Sequence, residues 1–423
     1  TPEERWIATL VAAAESADLD VLKGKRPHVK GVAALGPRQR LLLQHMLSER
    51  KLLASPEIIR LFYESRDDAI FRRADRVERV FLGMSIYEEP KFTNAYSFVF
   101  ISVPRATRPG SRHGMLRRAV GAVNRLWPRP RFLVLCGENQ VVAPQAGAEA
   151  AAGDAEDPLA AYKNALRLLA PNIAVISVPG RSDFPHSQGV PTAAGLEAYR
   201  SAFGADYFSF WVGRIQFIVL NSALMVADGS EMTPDMVDEA AKQTAWFERE
   251  AYVGRTRGTQ VHVLCSNPAF IRRHDEGEQV GHGVGAASGQ TSAVTFPLAV
   301  RTRFLETMRF SWGKYIFSAH PTRNGRGVYK GSDTSYEECN VASVTTASLL
   351  NADTRRKECG PLVGEKDEGE EGGAAEGKTA WVGGLRVVRV FESFAKPDFF
   401  RVNEMPTKLD LDVVTNTGEH DSD

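Results

Sequence analysis

From residue 96 onward the chain is broken into short runs of β-branched, aromatic and aliphatic residues. Nine stand out: Tyr96–Val103, Arg131–Cys136, Ile173–Val178, Tyr207–Val212, Ile215–Asn221, Gln260–Cys265, Tyr315–Ser318, Glu338–Thr345 and Leu385–Phe391. Runs of this length and make-up read as strands. Amphipathic helical stretches separate several of them, at Leu159–Leu169, Gly195–Phe203 and Met236–Tyr252. Strand–helix alternation followed by a strand-rich C-terminal half predicts an α/β sandwich.

The first 95 residues have a different texture. Ala, Leu and Arg dominate, and Leu42, Met46 and Leu47 recur near helical spacing, which predicts a helical, partly basic extension over 1–95. Residues 23–60 hold nine Lys/Arg against Glu49 and Glu57. This is either a solvated helical face or a segment that docks on a partner. Two stretches, near 143–157 and 364–377, are rich in Gly, Ala and acids and cannot present a face to a core, so they read as insertions. A polar acidic tail is expected over 406–423.

Composition excludes several classes. Lys plus Arg and Asp plus Glu both number 52, so the formal net charge is zero and a uniformly basic nucleic-acid binder is ruled out. No apolar run approaches the ~18 residues of a spanning helix, so no membrane role is expected. The four cysteines form no CxxC pair, and Cys136 and Cys265 end apolar runs, which makes them candidate core residues. That usage suits a reducing compartment, with mitochondrial matrix and cytosol both open.

Five strands end in loops of unusual make-up: FVFISVPR (98–105), LVLCGENQ (133–140), ISVPGRSDFP (176–185), VLCSNPAF (263–270) and FSAHPTRNG (317–325). Open α/β sheets build their sites at such strand ends. In order and spacing the chain over roughly 96–405 resembles the calcineurin-like metallophosphoesterases, and most of all the small eukaryotic calcineurin-like phosphoesterase domain proteins. The most specific stretch is VPGRSDFP…YRSAFGADYFSFWVGRIQFIVLNS (178–222). Gln243–Thr244–Ala245–Trp246, VASVTTASL (341–349) and GLRVVRVFES (384–393) also fit. The resemblance implies a four-layer αββα metallophosphoesterase sandwich carrying the helical N-terminal extension.

The resemblance also implies two metal ions held by Asp, Asn and His, which activate water and clamp a phosphate, and a separate acid His. At the matching positions this sequence has other residues. Val103 stands at the first metal-ligand Asp and Arg105 at the ligand two residues on. Glu138 takes the bridging Asp, Arg181 the ligand Asn and Ser182 the acid His. Ser266 begins the His-His-Pro motif, and His320 and Thr322 fill the Gly-His-x-His motif. Only Glu138 and His320 keep a competent donor, too few for two divalent ions. The expectation is no catalytic residue and no cofactor, with a single divalent metal near Glu138 and His320 as the alternative.

Residues 105–132 contain eight arginines and no acid. Arg105, Arg108, Arg112, Arg117, Arg118 and Arg125, with Arg181 and Arg323 from the other loops, form a candidate surface for an anion or partner, since planar guanidinium groups suit phosphate and carboxylate. The same arginines could equally pair with the chain's own acids. The expected function is therefore a catalytically inactive metallophosphoesterase-like protein that serves as a structural or assembly subunit of a large complex. Protein partners and RNA, hence a ribonucleoprotein, both fit its basic surfaces. A residual metal-dependent phosphoesterase and a phosphoryl-ligand binding module are the alternatives.

Overall fold

The computed structural model describes residues 2–16, 91–103, 111–137, 164–170, 173–184, 190–227, 232–277, 280–282, 291–293, 295–320, 323–331, 340–349 and 384–412, together with scattered residues between 18 and 47, Met84 and Tyr162. The strands are β1 (Tyr96–Val103), β2 (Phe132–Gly137), β3 (Ala174–Val178), β4 (Phe208–Val212), β5 (Ile215–Val219), β6 (Val261–Cys265), β7 (Val280–His282), β8 (Thr291–Ala293), β9 (Gly313–His320), β10 (Gly325–Tyr329), β11 (Val341–Ala347), β12 (Leu385–Val390) and β13 (Ala395–Phe400). The helices are α1 (Pro2–Glu15), α2 (Leu19–Leu22), α3 (Ser111–Arg125), α4 (Ala193–Phe203), α5 (Ala223–Val226), α6 (Pro234–Thr256) and α7 (Leu298–Phe310).

All nine sequence-predicted strands are present within a few residues. Two sheets form, ordered β13-β12-β1-β2-β3 and β10-β11-β9-β6-β5-β4, with β7 and β8 pairing apart. Within the first, β1, β2 and β3 run parallel. In the second, β5, β6, β9 and β11 are parallel, and β4 and β10 close the edges antiparallel.

Alternation along the strands makes the layers. Phe98 and Phe100 of β1 face inward with Phe132, Val134, Ile176, Phe217 and Phe317, forming the core between the sheets. Val99, Ile101, Leu133 and Leu135 face outward under Leu116, Ala119, Val120 and Val123 of α3 and Leu196 and Tyr199 of α4. On the far side Ile218, Val263 and Ile316 pack under Phe247 of α6 and Phe304 and Met308 of α7. Helix, sheet, sheet, helix is the expected αββα order. The period-2 strands and 3.6-period helices bury their apolar faces in no other way.

Helices α1 and α2 carry an apolar cluster of their own, Ile7, Leu10, Val11 and Leu22, joined by Val32, Leu43 and Leu47. Two expected boundaries shift. The sandwich reaches back before residue 96: Met84 packs in the inter-sheet core, its carbonyl accepts from the Trp211 amide at 2.8 Å, and Phe92 packs beside it. The stretch expected as tail also begins inside the fold. Leu409 is buried under the first sheet, and Trp127 exchanges backbone hydrogen bonds with Thr407 and Leu409. Residues 143–157 and 364–377 lie outside the described residues.

Candidate active site

The parallel strands β1, β2, β3, β5, β6 and β9 all end at the same pole of the sandwich, and their ends are stitched together. The Cys136 thiol, at the end of β2, donates across the sheets to the Cys265 carbonyl at 3.2 Å. The Ala319 amide of β9 donates to the Ser266 carbonyl at 3.2 Å, and the Leu349 amide after β11 reaches the Ser102 carbonyl of β1 at 3.1 Å. Burial holds the Cys136 thiol well above its usual range, helped by Cys265 and Asp183, and burial does the same to Cys265. Both are neutral packing groups, as expected, since burial without a cation favours the thiol.

At the end of β1, Val103 pairs with Gly137 and packs in the layer between the first sheet and its helices. It cannot coordinate an ion. Arg181 and Ser182 sit in a 3-10 turn, Arg181–Asp183. Asp183 is buried and its Oδ2 accepts from the Gly180 amide at 2.9 Å, so this carboxylate ties the turn to its own start.

After β5 and β6 the loops close on each other with neutral groups. Ser222 Oγ lies 2.8 Å from Ser266 Oγ and donates to Asn267 Oδ1 at 3.0 Å, while the Asn267 amide donates back to Ser222 Oγ at 2.9 Å. Asn267 and Ser222 are buried. The sequence reading stopped at Ser266; the residue it is locked to, Ser222, lies 44 positions earlier and carries no local signal.

His320 is the last residue of β9, two residues past the strand end expected from sequence, and is buried. Its Nδ1 accepts from the Arg323 amide at 3.0 Å. That nitrogen is thus engaged by the turn. Glu138, Arg105, Arg108 and Thr322 lie outside the described residues. Among the described residues no three His, Cys, Asp or Glu side chains come together in a way that could hold a metal ion. The described donors at this pole therefore do not fit the paired ions.

A guanidinium that the sequence reading did not single out enters the pole from a strand that it did. Arg386, on β12, is buried among Thr346 Oγ1 at 3.1 Å, the Thr345 carbonyl at 3.0 Å and Asn324 Oδ1 at 3.2 Å. Burial pushes its ionisation down to about 10, Asp398 opposing and Arg326 reinforcing the shift. Asn324 in turn accepts from the Ala347 amide, so Arg386 holds the turn after His320 against the end of β11.

The stretches that carry the family resemblance form a second brace. Arg200 bonds Asp206 at 2.7 Å and Glu239 at 2.5 Å, and Asp206 accepts from Asn221 Nδ2 at 3.0 Å. Gln243 grips the Asn221 backbone through both N–H and C=O, at 2.8 and 3.1 Å. Burial works against the Arg200 charge, and the carboxylates of Asp206 and Glu239 outweigh it, so its ionisation moves up.

The candidate anion surface is dispersed. α3 leaves the strand-end pole and runs back about 22 Å along the first sheet, so Arg125, in its last turn, sits at the end remote from the site. Arg117 and Arg118 are exposed on the solvent face of that helix, and Arg112 is near its start. Arg181 and exposed Arg323 stay at the pole. Arg125 therefore stands apart from Arg181 and Arg323, because helix length carries it away from the strand ends.

An αββα sandwich with these parallel strand ends converging on one pole is the architecture that the sequence resemblance implies. No protein-family profile matches the chain. It is 26% identical over 283 residues to the serine/threonine-protein phosphatase CPPED1 of Danio rerio, covering 63% of this chain and 82% of that protein. It is 27% identical over 220 residues to the human protein of the same name, covering 52% of this chain and 62% of that one. The mouse protein is 26% identical over 278 residues, 63% of this chain and 78% of the relative. The chain thus matches less than two thirds of the human relative's length. Among solved structures, a dimetal phosphatase from Danio rerio aligns with a TM-score of 0.35 at 14% identity, over 60% of this chain and 88% of that one. The chain is thus similar, at low identity, to proteins named as calcineurin-like phosphoesterase-type phosphatases, in line with the resemblance carried by its strand-end motifs.

Proposed function

We propose that this chain is a metallophosphoesterase-fold protein that does not run the two-metal reaction and acts instead as a structural or assembly subunit of a larger complex. The observation that carries this reading is the closed Ser222–Ser266–Asn267 cluster. Neutral hydroxyl and amide groups are satisfied by one another where the family resemblance implies imidazole ligands. Val103 and Arg181 at two further ligand positions supply an alkyl group and a cation, neither of which attracts a divalent ion. A scaffold that keeps its braces without its donors is suited to binding, and function resides in sites rather than in folds.

The decisive experiment is metal analysis of the purified protein with phosphatase assay in added manganese. The expected result is substoichiometric metal and no turnover above buffer; two bound ions with turnover would overturn the reading. Gentle affinity isolation tests the assembly part. Co-purifying proteins are expected, and a clean monomer would refute it.

A second reading, residual phosphoesterase activity, draws on the relatives being phosphatases by name and on His320 standing at a converging strand end. It needs Glu138 beside His320, and Glu138→Gln abolishing turnover would establish it.

A further inference from the structure

At the opposite pole, where the parallel strands of the second sheet begin, three loops carry exposed rings and arginines side by side. Arg214 immediately precedes β5, Arg257 and Gly258 lead into β6, and Trp312 immediately precedes β9. Phe310 and Trp312 are 56% and 42% exposed, and Tyr252, one turn before Arg255 on α6, is 53% exposed. For large rings on a folded surface such a group calls for a partner.

The cations are fixed against these rings. The Arg255 guanidinium lies over the Phe310 ring at 4.0 Å and donates to the Phe310 carbonyl at 2.8 Å. Arg214 donates to the Arg257 carbonyl at 3.4 Å. Around Gly258, a Cβ would meet the Arg214 guanidinium at 3.4 Å and the Trp312 ring at 3.9 Å, so arginine and indole flank the same spot. Arg257 lies 6.0 Å over Trp211. Among the described residues no carboxylate stands within ion-pair distance of Arg214, Arg255 or Arg257, and Glu392 in the adjoining β12–β13 turn does not reach them. Arg214 and Arg255 bond backbone carbonyls, which orient a guanidinium and leave its charge unneutralised.

Two of these residues are displayed at a conformational cost. Arg214 has φ 64° and Trp312 has φ 58°, the left-handed region that Gly and Asn occupy cheaply and other side chains rarely enter. Arg214 is the second residue of a two-residue hairpin turn, after Gly213 at φ 56°, where Gly or Asn is favoured. A stacked arginine, exposed rings and unpaired positive charge together match a strand that offers both planar bases and phosphates. An acidic peptide uses only the charge and leaves the rings unmatched.

We propose that this pole, built by Arg214, Arg255, Arg257, Phe310 and Trp312, binds single-stranded nucleic acid, with bases stacked on the rings and phosphates on the guanidinium groups. The surface is separate from the strand-end pole and stands whether or not that pole hydrolyses phosphate, so metal analysis and this test fail independently.

The test uses the full chain and fluorescein-labelled 20-nucleotide single strands of mixed sequence, RNA and DNA, read by fluorescence anisotropy. Saturable binding is expected, quenching Trp fluorescence and falling with salt at a logarithmic slope of about −2 for three phosphates. The tighter of the two oligonucleotides identifies the natural strand. Arg214→Asn with Arg257→Gln, and separately Trp312→Asn, are each expected to weaken binding tenfold or more. Asn suits the left-handed backbone at 214 and 312, and thermal melts of both variants check that the fold persists. Arg257→Gln alone, at an exposed position, gives a further charge variant with the backbone untouched. No binding of either strand, equal binding of the duplex, displacement by polyglutamate at equal charge, or folded variants that bind like the parent would each overturn the proposal.

Discussion

His262 offers the clearest quantitative test of the sandwich interior. It lies in β6 facing the inter-sheet core, with Phe217 at 5.2 Å, Tyr315 at 5.1 Å and Phe317 at 6.2 Å between ring centroids. It is fully buried, and neither ring nitrogen has a hydrogen-bond partner. Burial therefore lowers its pKa from an ordinary 6.5 to about 3. The sign follows from proton counts. Between pH 6.5 and 3 the unfolded chain binds a proton at this residue and the folded chain does not, so stability rises with pH across that window. The contribution is fully present above pH 6.5 and is lost as pH falls towards 3. From pH 7.5 to 4.5 the loss is about two pKa units, or ~2.7 kcal/mol at ~1.36 kcal/mol per unit. His262→Phe keeps an aromatic ring in the aromatic cluster and removes the titration. Guanidinium unfolding followed by Trp fluorescence at both pH values gives the difference directly. The wild type should lose ~2.7 kcal/mol more than the variant over that interval. Any constant packing change from the larger ring cancels in the comparison. Parallel pH profiles for the two proteins would refute the buried, neutral imidazole.

Three further outcomes follow from the braces. Gln243→Ala removes both hydrogen bonds to the buried Asn221 backbone and should cost ~2–4 kcal/mol, read as a lowered melting temperature. Arg386→Ala strips the donor from Asn324, Thr345 and Thr346, and a loss of ~3 kcal/mol is expected in denaturant unfolding. Gly327→Ala would place a Cβ 2.2 Å from the Arg272 carbonyl oxygen, so β10 must shift and the thermal transition should fall by several degrees.

The nine strands were legible because each is built on a short run of mostly β-branched, aromatic and aliphatic residues bounded by turns. β10 and β13 were not. β10 is Gly-Arg-Gly-Val-Tyr, where Gly327 serves the close approach of Arg272 rather than strand propensity. β13 contains Pro397 and half-exposed residues, which an edge strand tolerates and a propensity reading rejects. Leu409 packs from a polar stretch because backbone bonds to Trp127 hold it there, a long-range cause that no local pattern reports. At the candidate site the strand-end positions were legible from the motifs, while the partners that satisfy them were not. Arg386 did leave a trace: in LRVVRV it occupies the same face as inward Val388 and Val390, so alternation alone placed a charge in the core.

The braces lie in the stretches that carry the resemblance. The resemblance is strongest over 178–222 and at Gln243, and these residues are where Arg200, Asp206, Asn221 and Gln243 clamp the end of β5. Arg386 and Asn324 clamp the ends of β9 and β11 in the same manner. Such networks fix strand ends in space, and a half-satisfied buried network is costlier than an apolar core, so each member constrains the others. Residues at loop tips carry less of this packing obligation: Ser266 bonds Ser222 across two loops, and Val103 packs under the helices of the first sheet. These networks set where the strand ends stand, and the side chains between them set the chemistry. The chemistry has to be read from the few side chains between them.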